Sequence, residues 1–302
     1  MKTVEIEFPP ASFVELRKVP VLINKGALEL SMGKRSFRAL CRMTDEPQVV
    51  ALNNIISLAG ILDVSPATLT RIAKVLGFKG FPQFQTLFKR HLTEAQHFYS
   101  EQADRLVQLN GKHEAADILN TLAQQASVNI GATAKGINND EIRTAARLLA
   151  TAARVHVVAY RQSAALASIM SYGLGMIRGQ VQWIGSHGHG FSVGLSQVAR
   201  NDLVVLFGSA PYSRETVMAA RLSRQQKARL LSVTDSPLSP LAEWSDIALT
   251  ATTDSLFYSN SFSGMVLVVE ALLTLAASEL GGKALQNLQQ REAFIAALND
   301  EY

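Results

Sequence analysis

Between residues 64 and 79 the sequence sets small, hydroxyl-bearing and basic side chains beside a helical apolar stripe. Leu69, Ile72, Ala73 and Leu76 recur at helical spacing and mark the face to be buried. Ser65, Ala67, Thr68, Thr70, Arg71 and Lys74 fall off that stripe, and Lys79 follows it. Such a face suits the major groove of double-stranded DNA. Arg and Lys reach phosphates or guanine edges, and small or hydroxyl side chains approach the bases near the helix N-terminus. A plain helical hairpin would show the same stripe. The neighbouring charge weighs towards DNA, because Lys34, Arg35, Arg38, Arg42, Lys79, Lys89 and Arg90 can supply phosphate contacts.

A second group lies in two loops of the C-terminal half. Arg161 and Ser163 follow one apolar run; Ser209, Tyr212, Ser213 and Arg214 follow another. A guanidinium, hydroxyls and the free amides of a helix N-terminus together bind a small anion. Pro211 removes one amide from that set. Routine capping is the plainer role for Ser209, Tyr212 and Ser213. His187 and His189 sit in a glycine loop, but no carboxylate or cysteine completes a set nearby, so a rim loop is expected and no metal. Ser255, Ser259, Asn260 and Ser261 either close a pocket or cap the helix that follows them, and Asp235 reads as a turn residue. Glu215 and His187 are the available general bases, yet neither belongs to a base–nucleophile constellation. No catalytic residue and no cofactor are expected.

Two kinds of scaffold must position these groups. Residues 1–90 read as short helices. Asn54–Leu62 and Thr68–Leu76 flank the turn Asp63-Val64-Ser65-Pro66, in which Ser65 can cap and Pro66 suits the first helical position. Gly77 is a helix stop, and Phe78, Phe81, Phe84, Leu87 and Phe88 pack a further helix. An earlier helix carrying Phe37, Leu40, Cys41 and Met43 ends near Asp45-Glu46-Pro47, and Cys41 is expected in its packed face. Residues 91–140 read as helical, broken at Gly131, Gly136 and Asn138-Asn139. From 141 onward strands and helices alternate. Strands are predicted at 155–160, 181–184, 203–207, 230–233 and 247–250, with helices at 141–153, 163–178, 214–226 and 262–280. Continuous apolar strands of this kind form a parallel sheet covered on both faces. Ligands of such sheets bind at the carboxyl ends of the strands.

The chain has 302 residues, room for two domains. An apolar fraction of 48% argues against a mainly disordered chain. The opening residues Lys2, Glu5 and Glu7 show no apolar leader, and Glu270 and Glu279 interrupt the richest apolar stretch, so a cytoplasmic protein off the membrane is expected. Cys41 is the single cysteine and excludes an internal disulfide framework. Charge is uneven: residues 1–90 hold 13 Lys/Arg against 7 Asp/Glu, a net of +6, while the remainder is net −2. That asymmetry favours a polyanionic partner for the first segment.

The runs Ile55–Ala59, Val64–Arg71 and Leu76-Gly77-Phe78-Lys79-Gly80-Phe81, with Phe84 and Leu87 behind them, resemble the N-terminal domain of the RpiR/MurR transcriptional regulators. Asp63 stands where that family carries a turn glycine; Asp tolerates the left-handed conformation better than most residues. The run Ser232–Ala242 resembles the SIS (sugar isomerase) domain that follows in the same family. Two loops depart from its pattern. Only Ser163 matches in Ala159–Ser163, and Ala210-Pro211 replaces the usual Ser-Gly pair of the phosphate loop, where Ser213 and Glu215 still match. The resemblance implies an all-α helix-turn-helix domain over 1–90, a helical connector over 91–127 and a SIS domain over 128–302 with a five-stranded parallel sheet flanked by helices. It implies a regulator that reads an operator, an inverted repeat if the chain is a homodimer or homotetramer, and senses a small anionic metabolite such as a sugar phosphate or sugar acid. A SIS-fold sugar-phosphate isomerase with an accessory helical domain is the alternative.

Overall fold

The computed structural model describes residues 7–24, 26–107, 115–185, 190–256 and 258–298. The chain divides into two units, residues 1–101 and 102–302.

Unit 1 is helical: α1 (Phe13–Asn24), α2 (Lys34–Asp45), α3 (Pro47–Leu52), α4 (Ile55–Ile61), α5 (Pro66–Val75) and α6 (Phe81–Val107). Its helices start where the sequence offers caps. Asn54 Oδ1 accepts the Ile56 and Ser57 amides to open α4. Ser65 Oγ accepts the Thr68 amide to open α5, with Pro66 in the first turn. Pro47 both ends α2, as expected, and opens the six-residue α3, because a missing N–H costs nothing in a first turn. Asp63 takes φ 54° in the turn between α4 and α5. Gly77 has φ +83°, and a Cβ there would lie 2.9 Å from Pro9 N, so the helix stop tolerates no side chain.

Leu40, Met43, Leu58, Leu69, Ile72, Leu76, Phe84 and Phe88 form the buried core of this unit. Phe84 meets Phe78 and Phe88 edge-on, with centroids 5.4 and 5.0 Å apart. Truncating such a ring costs roughly 3–5 kcal/mol, so this cluster fixes the turn after α5 against α6. Cys41 is half-buried rather than in the core.

Unit 2 contains α7 (Ala115–Gly136), α8 (Asn139–Thr151), β1 (Val155–Val158), a 3-10 turn (Arg161–Ser163), α9 (Ala164–Ile177), β2 (Val181–Ile184), α10 (Phe191–Ser196), β3 (Leu203–Gly208), α11 (Arg214–Gln225), β4 (Arg229–Thr234), β5 (Ile247–Thr250), α12 (Ser263–Leu280) and α13 (Gly282–Leu298). Gly131 lies inside α7 and does not break it; the break falls after Gly136. The sheet is five-stranded, wholly parallel and ordered β2-β1-β3-β4-β5, with Val155 opposite both Val181 and Leu203. Alternate residues serve two cores. Val155, Val157, Leu203, Val205 and Phe207 pack towards Met170, Val268 and Leu272. Val158, Val204 and Leu206 pack towards Leu195, Ala219 and Ala220.

By length and composition α12 is apolar enough to cross a membrane. Its Met265, Val268, Val269, Leu272 and Ala276 are instead buried in the core of unit 2.

Candidate functional site

In unit 1 the axes of α4 and α5 meet at 97° across the Leu62–Ser65 turn, the geometry of a helix-turn-helix. Leu69, Ile72 and Ala73 bury one side of α5, which leaves Ala67, Arg71 and Lys74 exposed at helical spacing on the other. Thr68 and Thr70 are half-buried. Their hydroxyls are engaged locally, Thr68 with Ser65 Oγ at 2.9 Å and Thr70 as donor to the Pro66 carbonyl. Ser65 is exposed, but its hydroxyl serves the cap. Arg71 Nη2 donates to Ser36 Oγ on α2 at 3.3 Å. Lys79 is exposed in the turn before α6. The structure therefore brings Ala67, Arg71 and Lys74 onto one surface and gives Ser65, Thr68 and Thr70 structural duties as well.

In unit 2 the strand order reverses between β1 and β3, and the crevice above such a switch point is where doubly wound sheets bind ligands. The loops after these two strands carry every residue expected at the effector site. Arg161 adopts φ 57°, uncommon for a residue with a side chain, and its Nη1 reaches the Pro211 carbonyl at 3.4 Å, joining the two loops. Ser163, in the same 3-10 turn, is buried. Ser209 is buried and its Oγ accepts from Asn260 Nδ2 at 2.9 Å. Ser213 caps α11: its Oγ donates to Glu215 Oε2 at 2.7 Å and lies 3.4 Å from the Thr216 amide. Arg214, the first residue of α11, is exposed. That bond from Ser213, with the Glu215 backbone amide and the nearby Arg214 and Arg161 charges, holds the Glu215 carboxyl below the ordinary glutamate range against a partial desolvation cost.

Three further residues engage these loops: Asp235 and Gln162, which the sequence does not mark as site residues, and Asn260, for which pocket closure or helix capping is expected. Asp235, read as a turn residue, sits at the end of β4 and accepts the Ala210 amide at 3.0 Å and the Tyr212 hydroxyl at 2.6 Å. Gln162 and Asn260 tie the crevice to the segment before α12. Gln162 Nε2 donates to the Asn260 carbonyl at 3.0 Å, Ser259 donates to Gln162, and Asn260 Nδ2 donates to the Ala210 carbonyl at 2.6 Å. Buried side chains of α7 anchor that segment. Asn129 donates to the Asp254 carbonyl at 2.7 Å, and Thr133 accepts the Thr252 amide at 3.0 Å. Ser259 and Asn260 thus bond to the loops after β1 and β3 rather than cap α12, whose N-cap Phe262 makes no side-chain bond. His187 and His189 lie outside the described residues.

At the amino-terminal ends of β1 and β3 lies a polar cluster around the buried Asp202 and His156. His156 Nε2 donates to Asp202 Oδ2 at 3.0 Å, Arg154 Nη2 lies 2.9 Å from the same oxygen, and the Ala199 amide donates to it at 2.9 Å. Desolvation pushes the Asp202 carboxyl up, but these three partners outweigh it and hold the group below the ordinary aspartate range.

Residues 148–278 match the SIS domain family. An RpiR transcription factor from Sphaerobacter thermophilus (its sugar isomerase domain) superposes with a TM-score of 0.55 and 25% identity over 57% of this chain and 97% of that one. The NanR protein of Vibrio vulnificus, solved in complex with ManNAc-6P, superposes with a TM-score of 0.54 and 18% identity over 94% and 99%. An HTH-type transcriptional regulator of Haemophilus influenzae is 22% identical over 76% of this chain and 78% of its own length. A second, from Clostridium perfringens, is 23% identical over 78% and 84%. The α/β unit is a SIS domain. With a helix-turn-helix unit ahead of it, the chain is similar over about three quarters of its length to HTH-type transcriptional regulators.

Proposed function

We propose that this chain is a DNA-binding transcriptional regulator whose N-terminal unit reads an operator and whose SIS domain senses a small anionic metabolite. The observation that carries the first half is the exposed row Ala67, Arg71 and Lys74 on a capped helix set at 97° to its partner, in the basic part of the chain. Arg71 and Lys74 contact phosphates or guanine edges, Ala67 approaches the bases, and Ser65, Thr68, Thr70 and Lys79 border the same face. The functional division follows residues 1–90, 91–127 and 128–302. A homodimer or homotetramer would present two such helices to the half-sites of an inverted repeat.

The crevice at the β1/β3 switch point supports the second half. Arg161 supplies a cation, and Ser163, Ser209, Tyr212, Ser213 and Arg214 supply donors around the N-terminus of α11. ManNAc-6P in the NanR relative makes a sugar phosphate the first compound class to try, with sugar acids second. Effector binding alters DNA affinity to the extent that it distinguishes two arrangements of the DNA-binding units. No observation favours the isomerase reading: the bond from Ser213 holds Glu215 below the ordinary glutamate range and so makes it a weaker base, and the Asp235 carboxylate is engaged by the Ala210 amide and the Tyr212 hydroxyl. A thermal-shift screen of sugar phosphates and sugar acids tests the sensor. A compound that binds the native state raises the melting temperature, and Arg161→Ala must abolish that rise. A rise unchanged in Arg161→Ala places the ligand elsewhere.

A further inference from the structure

We propose that α2 carries a second DNA-contacting site, a phosphate seat centred on Arg38, outside the helix-turn-helix. This rests on the DNA-binding reading above and adds a surface to it. Arg35, Arg38 and Arg42 follow one another at intervals of three and four residues, so they share one face of α2. The opposite face is committed to the core through Ala39, Leu40 and Met43. The three arginines line a cleft of about 460 Å³ closed on its far side by Leu62 and Asp63, the turn that leads into α5.

Their roles separate. Arg35 Nε donates to the Asp63 carbonyl at 2.9 Å, and its Nη2 pairs with the Asp63 carboxylate at 3.0 Å. Arg42 Nη1 donates to the Ile61 carbonyl at 3.1 Å. These two staple the turn and hold Asp63 in its left-handed conformation. Arg38 lies between them, exposed, with no hydrogen bond or ion pair among the described residues. A free guanidinium flanked by two further cations is an electrostatic well for an anion.

The position selects the anion. The Arg71–Ser36 bond ties the first turn of α2 to α5, and the cleft borders the turn that leads into α5. With α5 in a major groove, an element one helix width to its side meets the sugar–phosphate backbone rather than base edges. The occupant is therefore a DNA phosphodiester, and its contribution is independent of sequence.

The test uses full-length protein and two fluorescein-labelled duplexes, one from the region upstream of the protein's own coding sequence and one of random sequence, titrated between 50 and 200 mM salt. Arg38→Ala is expected to weaken binding to both duplexes by the same factor, roughly three- to tenfold, and to reduce the slope of log K against log salt by about 1. Arg38→Lys restores most of the slope. Unchanged affinity and slope in Arg38→Ala, with an unchanged melting temperature, would overturn the proposal. A loss confined to one duplex would also overturn it, since that is base readout. Lys74→Ala, run in parallel, separates this from the parent reading. If Lys74→Ala weakens binding and Arg38→Ala does not, only the α2 site fails. If Arg38→Ala alone weakens binding, the α2 site stands and the docking of α5 fails.

Discussion

Tyr212 donates its hydroxyl to Asp235 Oδ1 at 2.6 Å, and the two residues come from loops that follow different strands, β3 and β4. The same carboxylate takes the Ala210 amide at 3.0 Å. A protein carboxylate thus occupies donors of the loop that an anionic effector would use, and it places a like charge beside that effector. Asp235→Asn is expected to tighten binding of inorganic phosphate and of responding sugar phosphates by about tenfold, or roughly 1.4 kcal/mol. Isothermal titration calorimetry checks this. Weaker binding in the variant would make Asp235 a direct ligand contact instead.

Asn260 joins the segment before α12 to Ser209 and to the Ala210 carbonyl. Asn260→Ala removes both bonds and leaves the buried Ser209 hydroxyl without its donor, at a cost of roughly 1–2 kcal/mol. The expected result is a several-fold loss of effector affinity with DNA binding in the absence of effector unchanged, measured on one preparation by titration and by duplex anisotropy.

Asp202 gives a pH dependence with a defined sign. Its folded-state pKa lies below the unfolded value of about 3.9. Its contribution is therefore complete above about pH 5 and fades as pH falls through 4 and below. Asp202→Asn leaves Arg154 and His156 without their carboxylate and is expected to cost roughly 3 kcal/mol at pH 7. Urea denaturation at several pH values should show the gap between wild type and variant narrowing below pH 4. A gap independent of pH would mean the cluster acts by packing alone.

Ser65 opens α5 through its bond to the Thr68 amide. Ser65→Ala is expected to cost about 1 kcal/mol of stability, and Ser65→Asp to recover most of it. Both are read by thermal denaturation. An equal loss in the two variants would argue that the hydroxyl, not the cap, is what the turn requires.

Much of this organisation is written locally in the chain. β2 and β5, the edge strands, fall at the residues predicted for them, because even a partly buried strand draws on short runs of apolar and β-branched residues. Ser65-Pro66 marked the start of α5 for an equally local reason. The elements that escaped notice lack a local signal. α3 and α10 are six residues each, too short for a helical period. α13 buries only Ala284 among its described residues, so no apolar stripe announces it. The crevice was legible in part. Arg161, Ser163, Ser209 and Ser213 stand at strand ends and helix starts, where composition is informative. Gln162 and Asn260 are 98 residues apart, and nothing in either neighbourhood encodes their bond. Arg154, His156 and Asp202 are likewise brought together only by the pairing of β1 with β3.

On the proposed function, the exposed face of α5 reads a specific DNA sequence. The most direct measurement compares the affinity of the full-length protein for duplex from the region upstream of its own coding sequence with that for a scrambled duplex of equal length, at 0.15 M salt. A preference of about a thousandfold or more for the upstream duplex is expected, sharply reduced in an Arg71→Ala, Lys74→Ala double variant that retains the wild-type melting temperature. Equal affinity of the wild-type protein for the two duplexes would contradict it.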